Sequence, residues 1–323
     1  MPKSSEFVAD RPQWEAFDSL LAGLQLKCHL TSRIIIAEDR NVLFPGVRGS
    51  LKFHFIQKGA LWITLPDKSP RRVEAGSFIL VPGGQDHSAA TNPDWPQESV
   101  QEFAASLQMP CASGLNYKAG SGATLVEMIS GKAEMVDYLL HPIWQALPDL
   151  IVISPAEESD VLALMSTLNL AFTEASRPRP GSAGILDRLL EIALLQATRS
   201  SVLGDNALGK AFRDPDICRV LAQIHGDPSQ AWDLCSMASI AGLSRTAFVE
   251  RFKRSIGSPP GEYVTAWRMH RASRLLQRPG STVGQVARAV GYTSEPAFSR
   301  AFKKSVGTAP MTFGRRAFVE GED

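Results

Sequence analysis

The chain has only four cysteines in 323 residues, Cys28, Cys111, Cys218 and Cys235, and no C-x-x-C spacing among them. That excludes a zinc-knuckle pattern and a disulfide framework. Long apolar runs are also missing: none reaches the roughly 18 residues that a membrane span needs. The opening MPKSSEFVADRPQWEAF lacks the apolar core of a signal peptide, so the expectation is a cytoplasmic protein with no membrane partner. A net charge of +1 excludes a uniformly basic or acidic chain. With 44% hydrophobic and 21% charged residues, the length suffices for two domains with their own cores.

The near-zero net charge conceals a division. Between Ser239 and Arg316 there are fourteen Lys and Arg against Glu250, Glu262 and Glu295, a balance of +11, so the remainder carries −10. A cationic segment of this density supplies the phosphate-directed, salt-sensitive part of DNA affinity, and the acidic remainder is repelled by a duplex. Charge runs are usually solvated faces. Here, however, the charge coincides with a repeat.

That repeat is ASIAGLSRTAFVERFKRSIGSPPGEY, followed about fifty residues later by VARAVGYTSEPAFSRAFKKSVGTAPMTF. Each copy has an Ala-rich apolar segment, a turn glycine (Gly242, Gly291) and a Phe pair at i and i+4 (Phe248 with Phe252, Phe298 with Phe302). Each ends at Gly257 or Gly307 with proline close behind. Helix, short Gly turn, second helix is the helix-turn-helix pattern, whose second helix is shaped for a DNA major groove. From Gly to first Phe the second copy has one more residue, so its turn is expected to be built differently. Asp214-Pro215 caps a helix expected to run to His225, and Pro259-Pro260 starts a long helix, Gly261 to Gln277, joining the two readers. Rigidly joined, they can enter successive major-groove faces about one DNA turn, roughly 34 Å, apart.

Upstream, a helical period over Trp14 to Leu26 gives way to short β-rich runs: SRIIIAED, LKFHFIQ, ALWITLP, RRVEA and SFILVP. They predict a small antiparallel barrel or sandwich. Within them, Gly76 through Pro82 to His87 fits G-x5-P-x4-H and resembles the second signature of the cupin barrel, over roughly residues 30 to 110. In metal-binding cupins the first signature has an H-x-H pair and a Glu seven residues before its glycine. Here Lys52 stands at the Glu position before Gly59, and the region of the pair reads Pro45-Gly-Val-Arg48. Three of four ligands are absent, so no metal or other cofactor is expected, and a cupin enzyme fused to a DNA-binding domain is the lesser alternative. His54 and His87 are candidate polar groups of an effector pocket, with Glu127 a third and Phe55 and Trp62 as lining; hydrogen-bonded structural histidines are the competing reading. Lys27 and His29 beside Cys28 keep a redox- or metal-responsive regulator open as a further alternative.

From Pro155 the pattern turns helical. Glu157 to Ala175 and Ala183 to Ala197 flank the helix-breaking Arg-Pro-Arg-Pro-Gly of 177 to 181, which predicts an antiparallel hairpin. Its apolar surface is wider than one barrel face needs, so a second copy of the chain is expected to cover it. Residues 199 to 213 read as a linker.

The double helix-turn-helix with Trp232, A-x-x-x-G, F-x-x-x-F-K and G-x-x-P resembles the AraC-type transcription regulators over about residues 210 to 318. The upstream part resembles the cupin-like sensor of one subgroup. The resemblance implies a bacterial cytoplasmic regulator: an N-terminal β-barrel (cupin-like, 1–154), a helical hairpin that dimerises (155–204), and an all-α double helix-turn-helix DNA-binding domain (205–323). Implied partners are double-stranded promoter DNA, a small-molecule effector and a second copy, with RNA polymerase a further candidate; no catalytic residues are implied. Base-reading positions carried over from the family are Arg245, Thr246, Val249 and Glu250 in the first unit and Glu295, Pro296, Ser299 and Arg300 in the second. Phosphate candidates are Arg251, Lys253, Arg254, Lys303 and Lys304. Family members often carry Arg where this chain has Glu250, with the arginine here displaced to Arg251.

Overall fold

The computed structural model describes residues 18, 26–47, 49–107, 116–135, 147–155, 159–203 and 214–319. The helix expected over Trp14 to Leu26 lies outside them except for Asp18 and Leu26, and Leu26 opens a strand instead. Cys111 and residues 204–213 also lie outside. The chain divides into two compact units: described residues of 25–136 and 148–201 form a sheet unit, and those from 202 onward a helical unit.

Among the described residues eleven strands build the sheet unit: β1 Leu26–Ile36, β2 Asn41–Phe44, β3 Ser50–Lys58, β4 Ala60–Thr64, β5 Arg71–Glu74, β6 Phe78–Val81, β7 His87–Ala90, β8 Glu98–Ser99, β9 Asn116–Ala119, β10 Val126–Met135 and β11 Ile151–Ile153. They bond as two sheets, β11-β6-β3-β10-β1-β9 and β5-β4-β7-β2-β8. The cupin-like architecture is thus a two-sheet sandwich among the described residues, not one closed ring of strands. Strand alternation sends Ile34, Ile36, Ile56, Ile79, Val126 and Met128 of one sheet inward against Val42, Leu61, Ile63 and Ala89 of the other, and this shared layer is the core. A short helix, α1 (Val100–Ser106), begins at a capping box formed by Ser99 and Glu102.

Two long helices follow, α2 (Ser159–Ser176) and α3 (Ser182–Leu203). The proline-rich break between them falls where the sequence places it. Helix α3 continues through residues 199–203, which the sequence reading assigned to the linker. Leu164, Leu168, Ala171, Leu186, Leu190 and Ala193 are buried along the hairpin. Phe172 packs under the Arg33 guanidinium of β1, 5.2 Å from its ring centroid.

The helical unit comprises α4 (Pro215–Gly226), α5 (Leu234–Ile240), α6 (Arg245–Ile256), α7 (Pro260–Leu276), α8 (Val283–Ala289), α9 (Glu295–Val306) and α10 (Pro310–Val319). The two repeats use the same local devices. Asp233 and Thr282 cap α5 and α8 through capping boxes, and Ser244 and Ser294 cap α6 and α9 by accepting from Ala247 and Ala297 N–H. Gly257 (φ 87°) and Gly307 (φ 82°) end α6 and α9 in the left-handed region, which an L side chain adopts only with strain. Phe248, Phe252, Phe298 and Phe302 are fully buried. The extra residue of the second copy falls in the turn ahead of the cap serine, so α6 and α9 both start three residues before their first Phe. That second turn is also the more crowded. Gly291 (φ 83°) faces the Ser229 carbonyl and Arg268, whose guanidinium donates to the Pro228 and Gln230 carbonyls at 2.8 and 2.7 Å.

Candidate functional site

Helices α6 and α9 present equivalent faces. Their Phe pairs turn inward, and the side opposite leaves Arg245, Thr246, Glu250, Lys253 and Arg254 exposed on α6, and Glu295, Pro296, Arg300, Lys303 and Lys304 on α9. Val249 and Ser299, next to the first Phe of each pair, are half-buried. Lys253, Arg254, Arg300, Lys303 and Lys304 enter no ion pair among the described residues. An exposed, cation-rich stripe on the second helix of each helix-turn-helix is the surface that a DNA groove requires.

In the sheet unit, His54 on β3 and His87 at the start of β7 meet with Nε2 atoms 2.9 Å apart, and His54 Nδ1 lies 2.8 Å from Ser130 Oγ on β10. Phe44 stacks on His87 with ring centroids 5.2 Å apart, and meets His54 edge-on at 5.1 Å. Burial, reinforced by charge on His87 and Lys52, holds His54 well below the usual histidine range. His87 is lowered to about 4, mainly by burial and then by Lys52, against the opposing effects of the Gln85 main chain and Asp86. Both rings are therefore neutral near pH 7, one Nε2 donating to the other. Lys52, two residues before His54 and so on the same strand face, donates its ammonium to the Pro45 carbonyl and lies 5.8 Å from the Phe44 ring centroid. Two histidines without a third ligand do not fit a cupin metal centre: among the described residues no group of three or more His, Cys, Asp or Glu is placed to hold an ion.

A cupin family matches residues 15–202, more than half of the chain, and a helix-turn-helix domain family matches residues 237–316. The HTH-type transcriptional regulator AlkR of Acinetobacter baylyi is 27% identical over 271 residues, covering 82% of this chain and 87% of its own. A putative AraC-like transcription regulator of Streptomyces antibioticus is 25% identical over 301 residues, 92% of this chain and 97% of its own. The chain belongs to the cupin-bearing AraC-type transcriptional regulators. Among solved structures, ToxT of Vibrio cholerae covers 91% of this chain and 97% of its own at 13% identity and a TM-score of 0.34.

Several residues of this AraC-type regulator stand elsewhere than the sequence reading put them. Arg251 is not a free phosphate contact: its guanidinium is held by Asp214 and Asp216 of α4. Of the five effector-pocket candidates, only His54 and His87 come together. Phe55, adjacent to His54, points to the opposite face of β3 by strand alternation. Glu127 pairs with Arg33 of β1, which also reaches Asn116, on the sheet face away from the histidines. Trp62 alternates with the core residues Leu61 and Ile63 and so turns outward on β4. An open groove of about 610 Å³ lies elsewhere in the unit, lined by Ile63, Leu65, Lys68, Arg71, Arg72 and Asp149 among others, and includes none of the five. The sequence reading missed Ser130 and Phe44 as partners of the histidine pair. Lys52 was legible as a same-face neighbour of His54.

Burial also bears on the cysteines. Cys28 is pushed up to about 12, first by burial and then by Glu191 and Asp187, so its thiolate is scarce at neutral pH. Cys218 is buried and Cys235 exposed. No helix among the described residues is long and apolar enough to cross a membrane.

Proposed function

We propose that this regulator reads a two-part DNA site as a cytoplasmic homodimer and responds to a small-molecule effector bound in its sheet unit, without catalysis of its own. The observation that carries the reading is the pair of equivalent exposed faces on α6 and α9, with Arg300 in the position that Glu250 holds in the first repeat. Arg300 can reach guanine O6 and N7 with two hydrogen bonds, and Glu250 can accept from cytosine N4. Lys253, Arg254, Lys303 and Lys304, one turn further along, are suited to phosphates. Selection of bound sequences from random duplexes with the full chain is expected to return two half-sites about one helical turn apart. A chain that retains salt-sensitive binding but selects no sequence overturns the base-reading part.

Dimerisation is supported by the hairpin, where Leu162 (54%), Leu170 (60%), Ile185 (48%) and Ile192 (47%) remain exposed. Large apolar side chains clustered on one helix pair favour a covering partner. Ile192→Glu is expected to shift the sedimentation of the full chain toward the monomer; an unchanged value contradicts this interface. For the effector, metabolite screening by melting temperature locates the site when repeated on His87→Ala and Arg71→Glu. A shift lost only in His87→Ala supports the histidine pair as the contact, and one lost only in Arg71→Glu moves the site to the open groove.

A further inference from the structure

The described ion pairs of the helical unit all converge on two carboxylates. Asp214 takes Arg251 with two parallel hydrogen bonds, Nε to Oδ2 at 2.6 Å and Nη2 to Oδ1 at 2.8 Å. Arg251 Nη1 lies 3.2 Å from Asp216 Oδ2, so every nitrogen of the guanidinium has an acid partner. Asp216 also pairs with Arg219. The Asp214 carboxylate is 13% exposed and Arg251 37%, a half-sheltered setting in which a forked arginine–carboxylate pair holds its geometry. Asp214 has a second duty as the N-cap of α4, its Oδ1 accepting from Asp216 N at 3.1 Å and Ile217 N at 3.3 Å. One carboxylate therefore both starts α4 and holds the middle of α6. Helix α4 is anchored in turn: Ile217, Val220, Leu221 and Ile224 are fully buried, and His225 stacks on Trp267 of α7 at 4.0 Å.

Among the described residues the second repeat has nothing equivalent. With Phe298 aligned on Phe248, the position of Arg251 is Ala301, which packs against the core of its own repeat. The displaced arginine of the first repeat thus fills a role that the second does without.

We propose that Arg251 is a positioning residue: its guanidinium locks the first recognition helix to the first turn of α4, the helix by which the chain passes from the sensor sequence into the DNA-binding unit. The angle at which α6 meets a groove then depends on α4, and α9 is exempt from that dependence. This rests on the reading that α6 and α9 each read bases.

The test compares Arg251→Ala, Asp214→Asn and the double variant with the wild-type full chain, using the duplex that the wild type selects from a random pool. Asparagine is as good an N-cap as aspartate, so Asp214→Asn removes the charge and keeps the helix start; melting temperature checks that each variant is folded. The proposal expects both single variants to lose about tenfold of base preference, confined to the half-site under α6. It also expects an unchanged slope of affinity against salt and a double variant no worse than either single one. A phosphate-contact role gives the opposite pattern: Arg251→Ala weakens all sequences alike and flattens the salt slope by about one ion, and Asp214→Asn tightens binding. That pattern, or variants with an unchanged preference profile, overturns the proposal. A wild type that selects no two-part sequence defeats the base-reading proposal itself, a result distinct from these.

Discussion

The two units of this regulator treat charge differently. In the sheet unit many cations are matched, Arg33 with Glu127, Arg40 with Glu38 and Glu98, Lys68 with Asp149, Arg72 with Glu74 and Lys132 with Glu134, while Lys58, Arg71 and Lys118 enter no described ion pair. Even its buried histidines are partnered with each other. In the helical unit the recognition-helix cations Lys253, Arg254, Arg300, Lys303 and Lys304 enter no described ion pair, and Arg251 is the exception. A cation left unmatched on a helix face gains little for folding and is free for phosphate. The contrast supports the proposed DNA-facing surface and the proposed positioning role of Arg251.

The largest expected effect breaks the matched side of this comparison by pH. His87 is lowered in the folded state to about 4, so acidification protonates the unfolded chain first. Stability contributed by the neutral pair is intact above about pH 6.5 and falls as pH drops toward 4, by about 3 kcal/mol for His87 alone. Denaturant unfolding of the sheet unit across that range, with His87→Ala as control, is expected to show the loss shrink in the variant. Nearly as large is the salt effect on the unmatched side. Four phosphate-directed side chains give a loss of roughly a hundredfold in DNA affinity between about 50 and 200 mM salt, read by fluorescence anisotropy.

Substitution sharpens the same contrast. Arg33→Ala strips a half-buried carboxylate of its partner, the two side chains being 17% and 19% exposed, and is expected to cost about 2 kcal/mol of stability by denaturant unfolding. Lys304→Ala is expected to leave stability within about 0.5 kcal/mol and to lower the salt slope by about one, equally for every sequence.

Much of the helical unit was legible because its signals are local. Phe pairs at i and i+4, cap serines four residues ahead, and a glycine after the last turn all act within one helix. The Asp214–Arg251 clamp was not legible, since it joins residues 37 apart through folded space. In the sheet unit the strand-rich character was plain, yet β7 was hidden: HSAA is buried on both faces and has neither alternation nor branched side chains. The effector-pocket reading put Phe55 and Trp62 in the lining beside His54 and His87, whereas a one-residue step along a strand reverses the face. That rule alone separates Phe55 from His54, and Trp62 from Leu61. Ser130 needed the β3–β10 register, which pairs it directly with His54 and which no single strand reveals.

The unmatched face is itself uneven, with Arg300 on α9 where α6 carries Glu250. Binding profiles of Arg300→Ala and Glu250→Ala over randomised duplexes, measured beside the wild-type full chain, test most directly whether the free charges on these helices read sequence. Arg300→Ala is expected to flatten one base position of one half-site by about 1–3 kcal/mol. Glu250→Ala is expected to change preference less, and to raise affinity for unselected DNA by removing a charge that phosphate repels. Equal flattening by the two variants, or none by either, would contradict a base-reading role for Arg300.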